Sequence, residues 1–236
     1  YGDHRDLHLS LRRQRQMCIR DRGIKDYRVF SNYGIFLNEI GKHKEAELEL
    51  KKAISLNPEY ANAYYNLAVL FIGQGNLEKA ESELKKAIKL KSDFAIAHYN
   101  LGFILKDQGR LKEAETYTQK ALEVDPQLTD AYLSLSTIQT SDASQKWHNQ
   151  LFSESLLKNK DNRELMNIFF ARSNIFHGKG KYEESAENLI TANNPRSIPY
   201  NIPSIKPTLI SLNKTLIEFS MFTLPVASPR TIKVED

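Results

Sequence analysis

The sequence predicts an all-α protein made of repeated helix–turn–helix units. The chain repeats itself with a period of 34 residues, a length typical of solenoids built from helix pairs. Within each period, apolar residues recur at intervals of three and four, the spacing of one helix face. Only ten glycines and eight prolines occur among 236 residues, fewer than an all-β chain with many tight turns needs. Together these observations favour helix pairs stacked along one axis.

Three regular units carry the repeat. Five positions carry the same residue in all three units: Asn32, Asn66 and Asn100; Gly41, Gly75 and Gly109; Ala46, Ala80 and Ala114; Lys52, Lys86 and Lys120; Ala53, Ala87 and Ala121. In the unit 61–94, one helical pattern ends near Phe71 and a second begins at Leu77, with Gly75 between them. Gly75 suits the left-handed residue just past a helix end, where a Cβ atom costs energy. Each unit is therefore predicted to be a helix A, a tight turn and a helix B.

This pattern resembles the tetratricopeptide repeat (TPR) family. The positions of the family motif are occupied in the first unit by Phe30, Tyr33, Gly34, Leu37, Ala46, Leu50, Ala53 and Pro58. In the second unit they are Tyr64, Leu67, Ala68, Phe71, Ala80, Leu84, Ala87 and Ser92, and in the third His98, Leu101, Gly102, Leu105, Ala114, Thr118, Ala121 and Pro126. The resemblance implies a TPR solenoid whose core these residues form. Thr118 occupies a normally large apolar position, so we expect its junction to pack less well.

Two divergent helix pairs follow the regular units. In the second half of the fourth unit we expect one helix that carries Trp147, Leu151, Phe152, Leu156 and Leu157. Trp147 is interpreted as a core residue. A fifth pair is predicted over 165–176 and 182–193. Phe170-Ala171 and the segment 180–185 resemble the degenerate last repeat that precedes the catalytic domain in TPR-containing sulfotransferases.

The solenoid is predicted to span residues 23–193, followed by a linker over 194–206, a capping helix over 207–220 and a disordered tail over 221–236. A repeat stack must cover its terminal apolar face, and the predicted capping helix has an apolar face of its own. Residues 1–22 are a separate case. Back-translated, they fit a transposase-type sequencing adaptor and its flow-cell oligonucleotide, so we expect a non-native or disordered tail there.

Charge and composition argue against several function classes. The formal net charge is +4, but residues 1–22 hold six arginines and three aspartates, and the rest of the chain has 27 basic against 26 acidic side chains. This near-neutral balance gives no reason to expect nucleic acid as a partner. No apolar run approaches the roughly 18 residues of a membrane span, so no membrane partner is expected. The single Cys18 excludes an intrachain disulfide.

The sequence contains no motif of catalysis or cofactor binding. Metalloprotease, Walker and dinucleotide fingerprints are absent, so we expect a cytoplasmic, non-catalytic protein with no cofactor and no metal. The segment 194–197, Asn-Pro-Arg-Ser, resembles the phosphosulfate loop of sulfotransferases. It follows a predicted helix instead of a strand and lacks flanking glycines, so a phosphate site is not expected.

The candidate binding surface is predicted on the exposed side of the A helices, which line the concave face in the TPR family. It comprises Asn32, Asn66, Asn100, Tyr65, Tyr99, Val69, Phe103 and Lys106. An asparagine amide can donate to a backbone carbonyl and accept from a backbone N–H, so a row at the repeat pitch suits an extended peptide. The row is similar to the asparagine ladder of O-linked N-acetylglucosamine transferase. Alternatively, these asparagines hydrogen-bond the neighbouring repeat or solvent.

Two functions remain open at this stage. The first is a scaffold that binds an extended peptide or partner protein in the concave groove. The second is the substrate-presenting N-terminal region of a TPR-containing sulfotransferase whose catalytic domain is missing. A receptor for chaperone tails is not expected, because Ser31, Tyr65 and Tyr99 stand where TPR domains that clamp a C-terminal carboxylate have a lysine. The oligomeric state is not predicted.

Overall fold

The computed structural model describes residues 26–138 and 145–194, and this part of the chain is helical with no strand. Its helices are α1 (Tyr27–Glu39), α2 (His43–Leu56), α3 (Ala61–Gly73), α4 (Leu77–Leu90), α5 (Ala95–Asp107), α6 (Leu111–Val124), α7 (Thr129–Ile138), α8 (Gln145–Leu151), α9 (Asn162–Gly178) and α10 (Tyr182–Asn193). A short 3₁₀ helix spans Glu154–Leu157. The predicted N-terminal tail, the capping helix, the C-terminal tail and all of the linker except Asn194 lie outside the described residues.

The odd-numbered helices are the A helices and the even-numbered ones are the B helices. Each regular A helix packs on its own B helix, and that B helix packs on the next A helix. Neighbouring A helices also contact each other: α1 contacts α3, α5 contacts α7 and α7 contacts α9, and a hydrogen bond from Asn100 to Tyr65 joins α5 to α3. Neighbouring B helices show no comparable contact in the described chain. The A helices therefore form one layer of the stack, and the predicted site residues lie on this layer.

A glycine ends four of the A helices in the same way. Gly41, Gly75, Gly109 and Gly180 have φ angles of +77°, +72°, +75° and +71°. At the end of α3, the Gly75 N–H donates to the Ile72 carbonyl at 2.9 Å and the Asn76 N–H to the Phe71 carbonyl at 2.9 Å. This pair of bonds is the Schellman motif, which closes a helix through a left-handed residue. The sequence prediction is confirmed for Gly41, Gly75 and Gly109 of the regular units.

Small residues let the A and B helices of each regular unit approach closely. Ala46, Ala80 and Ala114 are fully buried. A Cβ atom added at Gly34 would lie 2.6 Å from Leu50 Cγ, and one at Gly102 would clash with Thr118 Oγ1. The helices therefore touch where the A helix lacks side-chain atoms.

The expectation that Thr118 loosens its junction is wrong. Thr118 is fully buried against Gly102. Its hydroxyl donates to the Ala114 carbonyl at 2.7 Å, so no buried polar group is left unpaired. The Thr118 hydroxyl faces Gly102 in the third unit, as the larger Leu50 side chain faces Gly34 in the first.

The fourth unit departs from its predicted form. Trp147 is buried, as expected, and its ring lies 6.5 Å from that of Tyr132. The single helix predicted to carry residues 147–157 is wrong, because α8 ends at Leu151 and the 3₁₀ helix begins only at Glu154. Phe152, predicted on the apolar face, is 38% exposed.

Arg172 of α9 explains the break. Its Nε and Nη2 atoms donate to the Leu151 carbonyl at 3.0 and 2.8 Å, and Nη2 also reaches the Ser153 carbonyl at 3.4 Å. These donors replace the backbone N–H groups of a continuing helix. The guanidinium also lies 5.4 Å from the ring centroids of Phe152 and Phe169. Burial lowers the pKa of Arg172 to about 10.

Candidate functional site

The predicted site residues lie on three A helices, and five of them fall in two rows that follow the 34-residue period. The asparagine row consists of Asn32, Asn66 and Asn100. A second row, which we call the stripe, lies three residues further along each helix and consists of Ile35, Val69, Phe103 and Thr137. Because residues three apart on a helix are neighbours, the stripe runs beside the asparagine row.

The asparagine row links adjacent repeats. Asn66 Nδ2 donates to Ser31 Oγ at 3.0 Å, and Asn100 Nδ2 donates to Tyr65 Oη at 3.3 Å. Both bonds run from one A helix to the A helix of the preceding unit. Asn32 is exposed, and no preceding A helix lies within the described residues. The alternative stated for the sequence, that these asparagines bond the neighbouring repeat, thus describes two of the three.

The bond to the neighbouring repeat leaves each amide with unused capacity. A side-chain amide has two N–H donors and one carbonyl acceptor, and only one donor of Asn66 or Asn100 is used within the described chain. Both residues are partly exposed. The two interpretations of the row are therefore compatible, since each amide is held by its neighbour and keeps a free donor and acceptor.

Tyr65 and Tyr99 lie at the border between the core and the A-helix surface. The Tyr65 ring packs 5.0 Å from that of Phe94. Burial raises the pKa of Tyr65, and the hydrogen bond from Asn100 partly opposes that rise. Burial also raises the pKa of Tyr99, to which the negative charge of Asp130 adds. Both hydroxyls therefore remain protonated near neutral pH and can donate a hydrogen bond.

The stripe is apolar at its first three positions. Ile35 is 36% exposed and Phe103 is 46% exposed, with Val69 between them partly exposed. Val69 and Phe103 were predicted site residues. Ile35 and Thr137 were missed, although they share the same period; the spacing of 34 from Val69 and Phe103 would have found both.

Lys106 places a positive charge beside Thr137, the last residue of the stripe. Its Nζ atom donates to Thr137 Oγ1 at 2.6 Å, so the ammonium group of α5 reaches the stripe position of α7. Burial lowers the pKa of Lys106. No carboxylate within the described residues forms an ion pair with it.

The B helices of the regular units differ in that their lysines are all exposed, and four of them pair with a glutamate of the same helix. Lys51 binds Glu47 at 2.7 Å and Lys85 binds Glu81 at 2.6 Å, as the i,i+4 spacing indicates. Arg110 joins Glu81 and Glu113. Burial acts to raise the pKa of Glu81, but the hydrogen bonds from Lys85 and Arg110 outweigh it and hold that pKa below its usual value.

In the described segments, no three histidine, cysteine, aspartate or glutamate side chains converge as metal ligands would. The helices described there are also too short or too polar to cross a bilayer.

Comparison with known proteins identifies the repeats. A tetratricopeptide repeat family model matches residues 95–128, and a second one matches residues 39–96. No curated protein matches the chain.

Solved structures share the fold. YrrB, described as a TPR protein with an unusual peptide-binding site, is 20% identical with a TM-score of 0.55, over 77% of this chain and 92% of that chain. PilF of Pseudomonas aeruginosa is 19% identical with a TM-score of 0.54, over 70% of this chain and 76% of that chain. Residues 39–128 are therefore tetratricopeptide repeats, and the described chain has the fold of an all-α TPR solenoid.

Proposed function

We propose that this chain is a protein-interaction scaffold that binds an extended segment of a partner protein along its A helices. The observation that carries the proposal is the pair of hydrogen bonds from Asn66 to Ser31 and from Asn100 to Tyr65. These bonds fix the amides at the repeat pitch before any partner arrives. YrrB, which shares the fold, is described as having a peptide-binding site.

Because these amides are already held in place, binding does not have to immobilise them, a step that costs about 0.5–1.5 kcal/mol for a flexible side chain. The free N–H of each amide donates to a carbonyl of the bound segment, and the amide oxygen accepts from a backbone N–H. Since only main-chain groups are read, the asparagine row tolerates many side-chain sequences. Sequence preference then comes from the neighbouring stripe.

The test begins with a displayed peptide library selected on the wild-type chain. Enriched peptides are resynthesised with a fluorescent label, and their affinities are measured by anisotropy for wild type, Asn66→Ala and Asn100→Ala. Each variant loses the hydrogen bonds between one asparagine amide and the peptide main chain, which weakens binding about threefold to tenfold. Circular dichroism checks that both variants keep the helical fold.

Asn149→Ala is the matched control, since Asn149 is an exposed asparagine on the B helix α8 and belongs to neither row. Its affinity stays at the wild-type value. If no peptide is enriched, or if Asn66→Ala and Asn100→Ala both bind as wild type does, the proposal is wrong.

A further inference from the structure

The stripe and Lys106 define an order of chemical groups along the A helices. Ile35 of α1, Val69 of α3 and Phe103 of α5 present three apolar side chains in register. At the fourth position, on α7, the side chain is Thr137, and Lys106 Nζ hydrogen-bonds it at 2.6 Å. The series from α1 to α7 is therefore apolar, apolar, apolar, cationic.

The pitch of this series matches an extended chain. Packed helices lie about 8–10 Å apart, and neighbouring A helices are in contact, with α3 and α5 joined by the Asn100–Tyr65 hydrogen bond. An extended or polyproline-type segment advances about 3.1–3.4 Å per residue, so about three residues span one repeat. In a polyproline-type segment, every third side chain points to the same side.

The charge environment of Lys106 favours an anionic contact. Of the other arginine and lysine side chains on the A helices, Arg28 and Arg163 pair with Asp26 and Asp130, and Arg172 donates to backbone carbonyls. The lysines of α2, α4 and α6 are all exposed, whether or not they pair with an acid, whereas Lys106 is partly buried. Lys106 has only a hydroxyl partner within the described residues. A half-buried ammonium group gains more from a carboxylate than a fully hydrated one does, because the surrounding dielectric is lower.

We infer that the stripe selects a peptide segment with apolar side chains at every third residue and a carboxylate side chain at the next such position, which Lys106 binds. The inference rests on the proposed function and adds the chemistry of the partner. The apolar side chains contact Ile35, Val69 and Phe103. The carboxylate accepts from Lys106 Nζ in place of, or together with, Thr137.

The test uses synthetic peptides blocked at both ends. One has three leucines, each three residues apart, and a glutamate three residues after the last leucine, with serine and glutamine elsewhere. A second has glutamine for that glutamate, and a third has the same composition with adjacent leucines. Each is also made in reverse order, since the stripe does not fix the chain direction. Affinities are measured by fluorescence anisotropy at low and at high salt.

The glutamate peptide binds the wild-type chain about fivefold more tightly than its glutamine twin, which corresponds to about 1 kcal/mol for a partly exposed ion pair. The difference shrinks as salt is raised. Lys106→Gln abolishes the difference between the two peptides. Lys112→Gln removes an exposed lysine of α6 and preserves the difference.

Two results overturn the inference. One is equal binding of the glutamate and glutamine peptides to the wild-type chain in both chain directions. The other is tight binding of the peptide with adjacent leucines, which would contradict the three-residue spacing. Either result leaves the proposed function standing if library-selected peptides still depend on Asn66 and Asn100, so the two failures are separable.

Discussion

The regular units (26–128) and the divergent part (129–194) reach the same backbone turn by different side-chain chemistry. Both close their last complete A helix with a left-handed glycine, Gly109 in one and Gly180 in the other. Eight residues before that glycine, the regular units bury Leu67 and Leu101, whereas the fifth unit has Arg172. The same glycine turn therefore closes the A helix in both parts of the chain, although the side chain eight residues before it differs.

The contact between helices A and B differs in the same way. At the small-residue positions of this contact the regular units have only glycine and alanine, which carry no polar side-chain group. In the last unit, Ser173 and Ser185 take those positions. Ser173 Oγ donates to the Ser185 carbonyl at 2.9 Å, and Ser185 Oγ donates to the Ser173 carbonyl at 3.0 Å. A polar interface is tolerated there because each hydroxyl has a partner.

The largest expected effect comes from exchanging the residue eight positions before the glycine. Leu101→Arg buries a guanidinium among apolar side chains, where the helical carbonyls are already bonded, and lowers the free energy of unfolding by more than about 4 kcal/mol. Arg172→Leu leaves the carbonyls of Leu151 and Ser153 without their donors and costs about 1–3 kcal/mol. Urea denaturation followed by circular dichroism measures both.

Hydrogen exchange separates local from global loss. In Arg172→Leu, faster exchange is confined to α8 and the 3₁₀ helix, because Arg172 binds the carbonyls at that junction. Were Leu101→Arg tolerated as well as Arg172→Leu, the distinction between the two parts of the chain would be lost.

The second expected effect distinguishes two glycines of the regular units. At Gly102 a methyl group clashes with Thr118 Oγ1 and crowds the Ala114 carbonyl at 3.1 Å, whereas at Gly73 it meets nothing within 4 Å. Gly102→Ala therefore lowers the free energy of unfolding by about 1–2 kcal/mol despite its better helix propensity. Gly73→Ala raises it by up to about 1 kcal/mol. Equal shifts in urea midpoint would contradict the close A–B contact.

Much of the fold was predictable because the TPR motif is repeated. Glycines at the repeat spacing predict the turns, and alanines at the same spacing predict which helix faces meet. The break after Leu151 was not predictable, since it depends on Arg172, which lies 21 residues away and acts through backbone carbonyls. Apolar spacing alone cannot show that a distant side chain will replace helical hydrogen bonds.

The candidate site was predictable only in part. The 34-residue spacing locates Asn66 and Asn100, but the identity of their acceptors, Ser31 and Tyr65, depends on how closely neighbouring A helices approach. The contact between Lys106 and Thr137 likewise spans two units. A period in the sequence assigns a residue to a row, whereas contacts between rows require the packed structure.

The smallest expected effect concerns the serine pair of the last unit. Ser173→Ala or Ser185→Ala alone removes one donor and costs up to about 1 kcal/mol of unfolding free energy. The double substitution replaces both hydroxyls by methyl-sized groups, as in the alanine contacts of the regular units, and its cost stays within about 0.5 kcal/mol of zero, since no hydroxyl remains to be satisfied. A double-mutant cycle from urea denaturation measures this coupling. If the double variant lost the sum of the two single costs, the serines would act independently, and the last unit could not be converted to the apolar form of the regular ones.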